Sequence, residues 1–261
     1  IFMPQVVYFD RVRNLVLSSD GFGLYGDLFG DAGTLGFDIG AGRLQLDQNV
    51  DENYLAPGYP GELRPHDLTW LGRVDFETTD TRWRFAWSIA EGALTSDPPP
   101  QFVPAAVDDP RLDFTYWVAS AQYVADHWSI AAEYMREPIR WQGFGPSIDN
   151  EITAEGYYLQ GNYRLRPDTE LSLRYEEGFA DRADRDGRLA AAASGGVLSR
   201  ARQFSKIWTL GVRWDLNPSL MLRAEYQRHH GAFILSAVEN PLDRPVTEHW
   251  HLFALLMSLR F

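Results

Sequence analysis

The chain has 261 residues, 24 of them Lys or Arg and 36 Asp or Glu, which gives a formal net charge of −12, and it has no Cys. The acid excess argues against nucleic acid as a partner, the lack of Cys excludes disulfides and thiol chemistry, and no apolar run reaches the roughly 18–20 residues of a membrane-spanning helix. Nine Trp and twelve Tyr combined with a mean hydropathy of −0.31 fit a barrel whose alternate residues face lipid and water.

The opening Ile1-Phe2-Met3-Pro4 has no charged or apolar region of the kind that starts a signal peptide, so an exported chain of this sequence would be mature or trimmed. Residues 1–18 lack clear strand flanks. Two Gly-rich strands are expected over about 20–30 and 34–42, joined by Asp31-Ala32-Gly33, with Leu35, Phe37 and Ile39 alternating with Gly36, Asp38 and Gly40. A long polar stretch follows over about 47–65. In the next strand Leu68, Trp70, Val74 and Phe76 point one way, and Thr69, Arg73, Asp75 and Glu77 the other. After the turn Thr79-Asp80-Thr81, Trp83, Phe85, Trp87 and Ile89 oppose Arg84, Ala86 and Ser88. A second long loop, about 95–110, contains Pro98-Pro99-Pro100.

Three more hairpins repeat this pattern. DFTYWVASAQYV turns at Ala125-Asp126-His127 into WSIAAEYMREPI; EGYYLQGNYRL turns at Arg166-Pro167-Asp168 into TELSLRYEEG; SKIWTLGVRWDL turns at Asn217-Pro218 into SLMLRAEYQRHH. Loops near 142–151, 179–203 and 231–247 separate them from one another and from the last strand. The strand after Arg111 carries aromatics on both faces, so its orientation stays open. The total is about eleven strands of roughly ten residues, in which tight turns and long loops alternate. Because the alternate set is charged, the apolar set must face lipid, which sets this chain apart from a soluble barrel with an apolar lumen.

The final stretch, HWHLFALLMSLRF, places Phe253, Leu255, Met257, Leu259 and Phe261 on one face and ends on the aromatic. This ending resembles the C-terminal assembly signal of Gram-negative outer-membrane β-barrels. With the hairpin architecture, the chain resembles the Gram-negative porin superfamily over nearly its whole length. The resemblance implies an all-β, transmembrane, antiparallel up-and-down barrel in the outer membrane. It also implies passive diffusion of small hydrophilic solutes or ions, often through a trimer, with no cofactor. The partners would be outer-membrane lipid, lipopolysaccharide and the barrel assembly machinery.

With Phe261 on the periplasmic side, stepping back through the strands leaves residues 1–18 outside. An even strand count with both termini in the periplasm is the bacterial rule. The chain is therefore expected to be the C-terminal portion of a larger barrel, about 16 strands by resemblance to general porins. Residues 1–18 would be an extracellular-side loop able to fold into the pore, and residues 19–261 the barrel strands. The competing arrangement is a complete barrel that uses residues 1–18 as a strand.

Four groups of residues are candidates for function. The first is an inward charge ladder: Arg73, Arg84, Arg164, Arg174, Arg213, Arg223 and Arg260 with Asp75, Glu77, Glu133, Glu176, Asp215 and Glu225. Guanidinium forks and carboxylates on opposed walls would sort solutes by charge; the same residues in ion pairs would keep a lumen polar and the sheet rigid. The second is Tyr8, Asp10, Arg11 and Arg13, which would line a constriction if the first segment turns inward. The third is His229, His230, His249 and His251, which a hairpin would gather at the rim, a weak metal candidate because rim histidines are common at the headgroup level. The fourth is the loop acids Asp47, Asp51, Glu52, Asp108, Asp109, Asp181, Asp184 and Asp186, able to hold Ca²⁺ against lipopolysaccharide phosphates or simply solvated.

No catalytic triad stands out, since nothing orients Ser129 or Ser172 beside His127, and no enzyme activity is expected. Two aromatic bands are expected at the strand ends. One comprises Phe76, Trp83, Tyr123, Trp128, Tyr163, Trp214 and Phe261; the other comprises Trp70, Trp87, Tyr134, Tyr157, Tyr175, Trp208 and Tyr226. The main alternative to a porin is a non-conducting barrel that scaffolds or anchors a partner protein.

Overall fold

The computed structural model describes residues 3–9, 19–46, 49–55, 61–96, 110–145, 149–236, 240–242 and 244–260. Among these residues twelve strands form one sheet: β1 (Ser19–Gly30), β2 (Gly33–Leu44), β3 (Leu63–Pro65), β4 (Thr69–Thr78), β5 (Trp83–Ser96), β6 (Arg111–Val124), β7 (Trp128–Gln142), β8 (Asn150–Arg166), β9 (Thr169–Phe179), β10 (Phe204–Asn217), β11 (Leu220–Gly231) and β12 (His249–Leu259). Each long strand is antiparallel to the next in sequence, in the order β1-β2-β4 through β12. The short β3 pairs with β5 beyond the end of β4, so the two continue one ladder across a break at 66–68. Among the described residues no helix is long and apolar enough to cross a membrane.

The hairpin ends close on the residues that the sequence supplies for them. At β4–β5, the Asp80 carboxylate accepts the Thr78 hydroxyl at 2.6 Å and the Arg82 amide at 3.1 Å. The Thr78 hydrogen bond, followed by the Arg82 amide, holds the Asp80 carboxyl below its ordinary value. At β10–β11, Asn217 Oδ1 accepts the amides of Ser219 and Leu220, both at 2.9 Å, across the Asn-Pro turn.

Alternation splits the sheet into an exposed apolar face and a covered face. Trp70, Val74, Trp83, Phe85, Trp87, Trp128, Ile130, Leu171, Leu173, Trp208, Leu210, Val212 and Trp214 are all exposed. Aromatics line this face in two rows. At the tight-turn end Trp83 packs on Phe85, Tyr123 on Trp83 and Trp128 on Tyr123, at centroid distances of 5.6, 4.7 and 5.1 Å. Nearer the long loops, Tyr175 lies 4.6 Å from Trp208.

Among the described residues, two short pieces of chain cover part of the other face. Helix α1 (Asn49–Tyr54), in the β2–β3 loop, sets Val50 and Tyr54 among Leu94, Leu112, Phe114, Ile139 and Trp141. The Trp141 indole donates to Tyr54 O at 2.9 Å, and the Tyr54 hydroxyl donates to Glu137 at 2.6 Å. The second piece, residues 5–9, buries Val6, Val7 and Phe9 against Ala90, Tyr116, Val118, Met135 and Ile207. This cover settles the orientation of β6: Leu112, Phe114, Tyr116 and Val118 are buried beneath it, and Trp117 and Tyr123 take the other face.

Side chains from β4 through β11 meet at residues 5–9. In a flat sheet seven strand spacings would hold β4 and β11 about 34 Å apart. The sheet is therefore strongly curled. Among the described residues, β1 and β12 each pair on one side only.

Two loop segments expected to be irregular contain short helices: α1 and, in the β9–β10 loop, α2 (Arg188–Ala193). In the second, Asp184 accepts the Ala190 amide at 2.8 Å, satisfying a first-turn donor.

If the exposed face meets lipid, Leu210→Arg at mid-strand of β10 should destabilise the folded protein in phospholipid vesicles by about 2–4 kcal/mol. Gln122→Arg, on the covered face, should change stability by no more than about 0.5 kcal/mol. Urea unfolding followed by Trp fluorescence measures both, and equal effects would refute the assignment of faces.

Candidate functional site

Three polar groupings lie on the covered face. The first surrounds a cleft of about 540 Å³, lined by Tyr8, Arg73, Asp75, Glu77, Arg84 and Glu133 among others. Inward positions of β4, β5 and β7 supply the charges, and residues 4–9 supply Tyr8. Arg73 Nε lies 3.2 Å from Asp75 Oδ1, and Arg84 Nε 2.7 Å from Glu77 Oε2. Ser120 donates to Glu133 Oε1 at 3.0 Å, and the phenols of Tyr8 and Tyr158 face the same carboxylate. Burial, and behind it the Glu133 charge, pushes the Tyr8 phenol up, so it is a neutral donor at neutral pH.

The second grouping centres on Arg174, which is 1% exposed, and Glu176, which is fully buried. Arg174 Nε lies 2.6 Å from Glu176 Oε1, Nη2 lies 3.4 Å from Glu225 Oε1, and Nη1 donates to Gln160 Oε1 at 3.1 Å. Gln227 donates to Glu225 at 2.6 Å and accepts from Gln5 Nε2 at 3.4 Å. The other Glu176 oxygen accepts the amides of Gln5 and Val6, at 2.7 and 3.3 Å. One carboxylate thus holds both the arginine and the N-terminal segment.

Two glycines seat that segment. Gly156 and Gly178 are direct cross-strand partners on β8 and β9. A Cβ at Gly156 would stand 2.4 Å from Val6 O, and one at Gly178 would stand 2.9 Å from Val6 Cβ. Only glycine admits so close an approach.

The third grouping lies near the tight turns. Arg213 meets Asp215 through two nitrogens at 3.1 and 3.0 Å, beside Ser258 and Arg260 in a cleft of about 240 Å³. Arg213 faces Arg223 across the β10–β11 pair. Among the described residues, neither Arg164 nor Arg223 has a salt-bridge partner. The charges along this face are interleaved, Arg with acid, and are not segregated into two walls.

The other sequence candidates fall as follows. Asp10, Arg11, Arg13 and Phe261 lie outside the described residues, as do Asp47, Asp108, Asp109 and the Glu52 side chain. Phe253, Leu255, Met257 and Leu259 share the exposed face of β12. The four histidines do not form one cluster, because adjacent strand residues point to opposite faces. His229 is on the covered face, stacked 3.5 Å from the Trp250 ring and bonded to Gln227 at 2.8 Å. His230, His249 and His251 are on the exposed face. Ser129 accepts from Asn162 at 3.0 Å, and Ser172 is buried on β9. Asp51 and Asp181 accept loop amides, at 2.7 Å from Leu63 and 3.0 Å from Ala183, and Asp186 pairs with Arg188 at 2.8 Å.

A polar network escaped the sequence reading. At the long-loop end of the exposed face, Glu155 accepts from Tyr134 and from Arg185, both at 2.5 Å. Glu177 accepts from both Tyr157 and Tyr175 and lies 3.5 Å from Lys206. Carboxylates at outward strand positions among tyrosines were the available signal.

No protein-family model and no curated protein matches the sequence. Solved structures match the fold. The outer-membrane channel DcaP of Acinetobacter baumannii superposes with a TM-score of 0.59 at 11% identity, over 90% of this chain and 61% of its own. An anion-selective porin from Comamonas acidovorans gives 0.52 at 13% identity, over 85% and 55%. OmpT of Vibrio cholerae, an outer-membrane protein folded in vitro, gives 0.52 at 13% identity, over 99% and 69%. The chain has the all-β fold of outer-membrane β-barrel porins and channels. It spans about 61% of DcaP and 55% of the Comamonas porin.

Glu176→Ala should cost about 3–5 kcal/mol, because it leaves a buried guanidinium without its nearest counter-charge and removes the acceptor for two amides. The double substitution Arg174→Met with Glu176→Leu should recover only the share due to the unpaired guanidinium, since the Gln5 and Val6 amides still lack their acceptor and Glu225 loses its arginine. Urea unfolding in vesicles tests both; a loss below about 1 kcal/mol for the single variant would place the pair with weak surface ion pairs.

Proposed function

We propose that this chain is a Gram-negative outer-membrane protein that forms the wall of a diffusion channel for small hydrophilic solutes or ions. The carrying observation is the charged cleft of about 540 Å³ on the face opposite the exposed apolar one. A sheet with an apolar outside and a wet, ion-paired inside suits passage of polar solutes through lipid. Tyr8, Arg73, Asp75, Glu77, Arg84 and Glu133 line the path in this reading, and the segment holding Val6 narrows it. The fold shared with an outer-membrane channel and an anion-selective porin supports the reading.

A second reading has an observation of its own. The Arg174 grouping and the Gly156–Gly178 seat fill part of the covered face with protein, as expected of a barrel that scaffolds a partner and does not conduct. Conductance separates the two.

Purified protein in a planar bilayer should give discrete ohmic steps. Gly156→Ile, which displaces the Val6 segment, should raise the step size. Arg73→Glu with Arg84→Glu should shift the reversal potential in a salt gradient toward cation selectivity. Absence of steps from the wild type and from Gly156→Ile alike would discard the channel in favour of the scaffold.

A further inference from the structure

At the long-loop end of the β11–β12 hairpin, three metal-ligating side chains converge on the exposed face, away from the charged cleft. His230 and His249 are direct cross-strand partners, and their rings stack at 4.4 Å with planes 22° apart. Glu248, the residue before His249, places Oε1 3.0 Å from His230 Nε2. One donor atom from each of the three lies within 4.8 Å of the others. In a tetrahedral zinc site with bonds of about 2.0–2.2 Å, ligand atoms stand roughly 3.4 Å apart. Small side-chain rotations of exposed groups would close the present separation.

The backbone beneath is fixed. The strand pairing runs through His230 and His249, and the Gly231 amide extends it by bonding Glu248 O at 2.7 Å. The Trp250 indole donates to Gly231 O at 3.1 Å, pinning the same corner from the covered face. The ring of Phe204 packs edge-on to His230 at 5.0 Å and limits its freedom. A site on two hydrogen-bonded strands loses less entropy on binding than one on a free loop. His251 lies on the same face two residues on, but it is committed elsewhere: its Nδ1 lies 2.8 Å from the Tyr226 hydroxyl, and its ring stacks on Tyr226.

We propose that His230, Glu248 and His249 form a binding site for a borderline divalent transition metal of the Zn²⁺ class. Two imidazoles and one carboxylate make a donor set that such ions accept and that hard ions such as Ca²⁺ and Mg²⁺ do not favour. Three protein ligands leave a coordination position open to water. His229 has no part in it, since it faces the other way.

The test is calorimetric titration of ZnCl₂ into the folded, detergent-solubilised chain, made without a histidine tag, at neutral pH and with CaCl₂ as comparison. One Zn²⁺ should bind per chain, and CaCl₂ should give no saturable signal. His230→Gln, His249→Gln and Glu248→Gln should each weaken binding by about 10–100-fold, since even groups outside the coordination sphere act on that scale. His251→Gln and His229→Gln should leave it within about twofold of wild type, well below that range. The heat-induced mobility shift on gels checks that every variant is folded. Absence of Zn²⁺ binding, or binding that survives His230→Gln with His249→Gln, would overturn the site, as would an equal loss with His251→Gln.

Discussion

A strand turns alternate side chains to opposite faces, and this sheet depends on that repeat throughout. Along β10, Trp208, Leu210, Val212 and Trp214 are exposed while Ser205, Ile207 and Thr209 are buried. From β2 through β11 the antiparallel ladders occupy the strand amides and carbonyls on both sides, as an apolar surrounding would require. With the backbone satisfied, each side chain answers only to the medium on its own side. The same repeat explains how Arg174 can be buried one residue from the exposed Leu173, and how neighbouring His229 and His230 come to separate environments.

The covered face is itself divided according to what lies over it. Beneath α1 and residues 5–9 the inward residues are apolar, among them Leu94, Leu112, Phe114, Ile139 and Trp141. Beside that cover, around the cleft that Tyr8 borders, inward positions of β4 and β5 carry Arg73, Asp75, Glu77 and Arg84. Two acids under the cover have partners ready: Glu137 receives the Tyr54 hydroxyl, and Glu176 receives Gln5 and Val6 amides. Leaving either carboxylate without donors would cost free energy, so these acids specify where the covering pieces sit. Loop placement and strand sequence are therefore coupled: Gly156 and Gly178 are small because Val6 lies on them.

The hairpins and the direction of most strands were legible because one alternate set was aromatic or aliphatic and the other charged. Trp83, Phe85 and Trp87 against Arg84, Ala86 and Ser88 leave little room for a second assignment. β6 was not legible, since alternation reports only a difference between faces, and a covering helix makes both apolar. The six residues of α1 are too few to show a helical period. The Arg and acid positions on one face were readable, but their pairing was not, because reach and rotamer decide it. Nor does a glycine in a strand say what approaches it. The division of the histidines was within reach of the sequence: residues 229 and 230 cannot share a face of one strand.

The pairing pattern sets the character of the charged face. Arg73 with Asp75, Arg174 with Glu176 and Arg213 with Asp215 are each separated by two residues, so both groups share a face roughly 7 Å apart along the strand, a gap the long arginine side chain spans. Each pair is a small dipole along its strand, pointing from arginine to acid in the direction of the chain. Neighbouring strands run antiparallel, so on β9 and β10 the dipoles of Arg174–Glu176 and Arg213–Asp215 oppose one another. Opposed dipoles cancel at a distance, and salt screens what remains beyond about 8–10 Å. The field of this face is therefore short-ranged and is carried by individual forks and carboxylates. Arg164, Arg223 and Arg260 carry no salt bridge among the described residues, so their charge is not offset in this way.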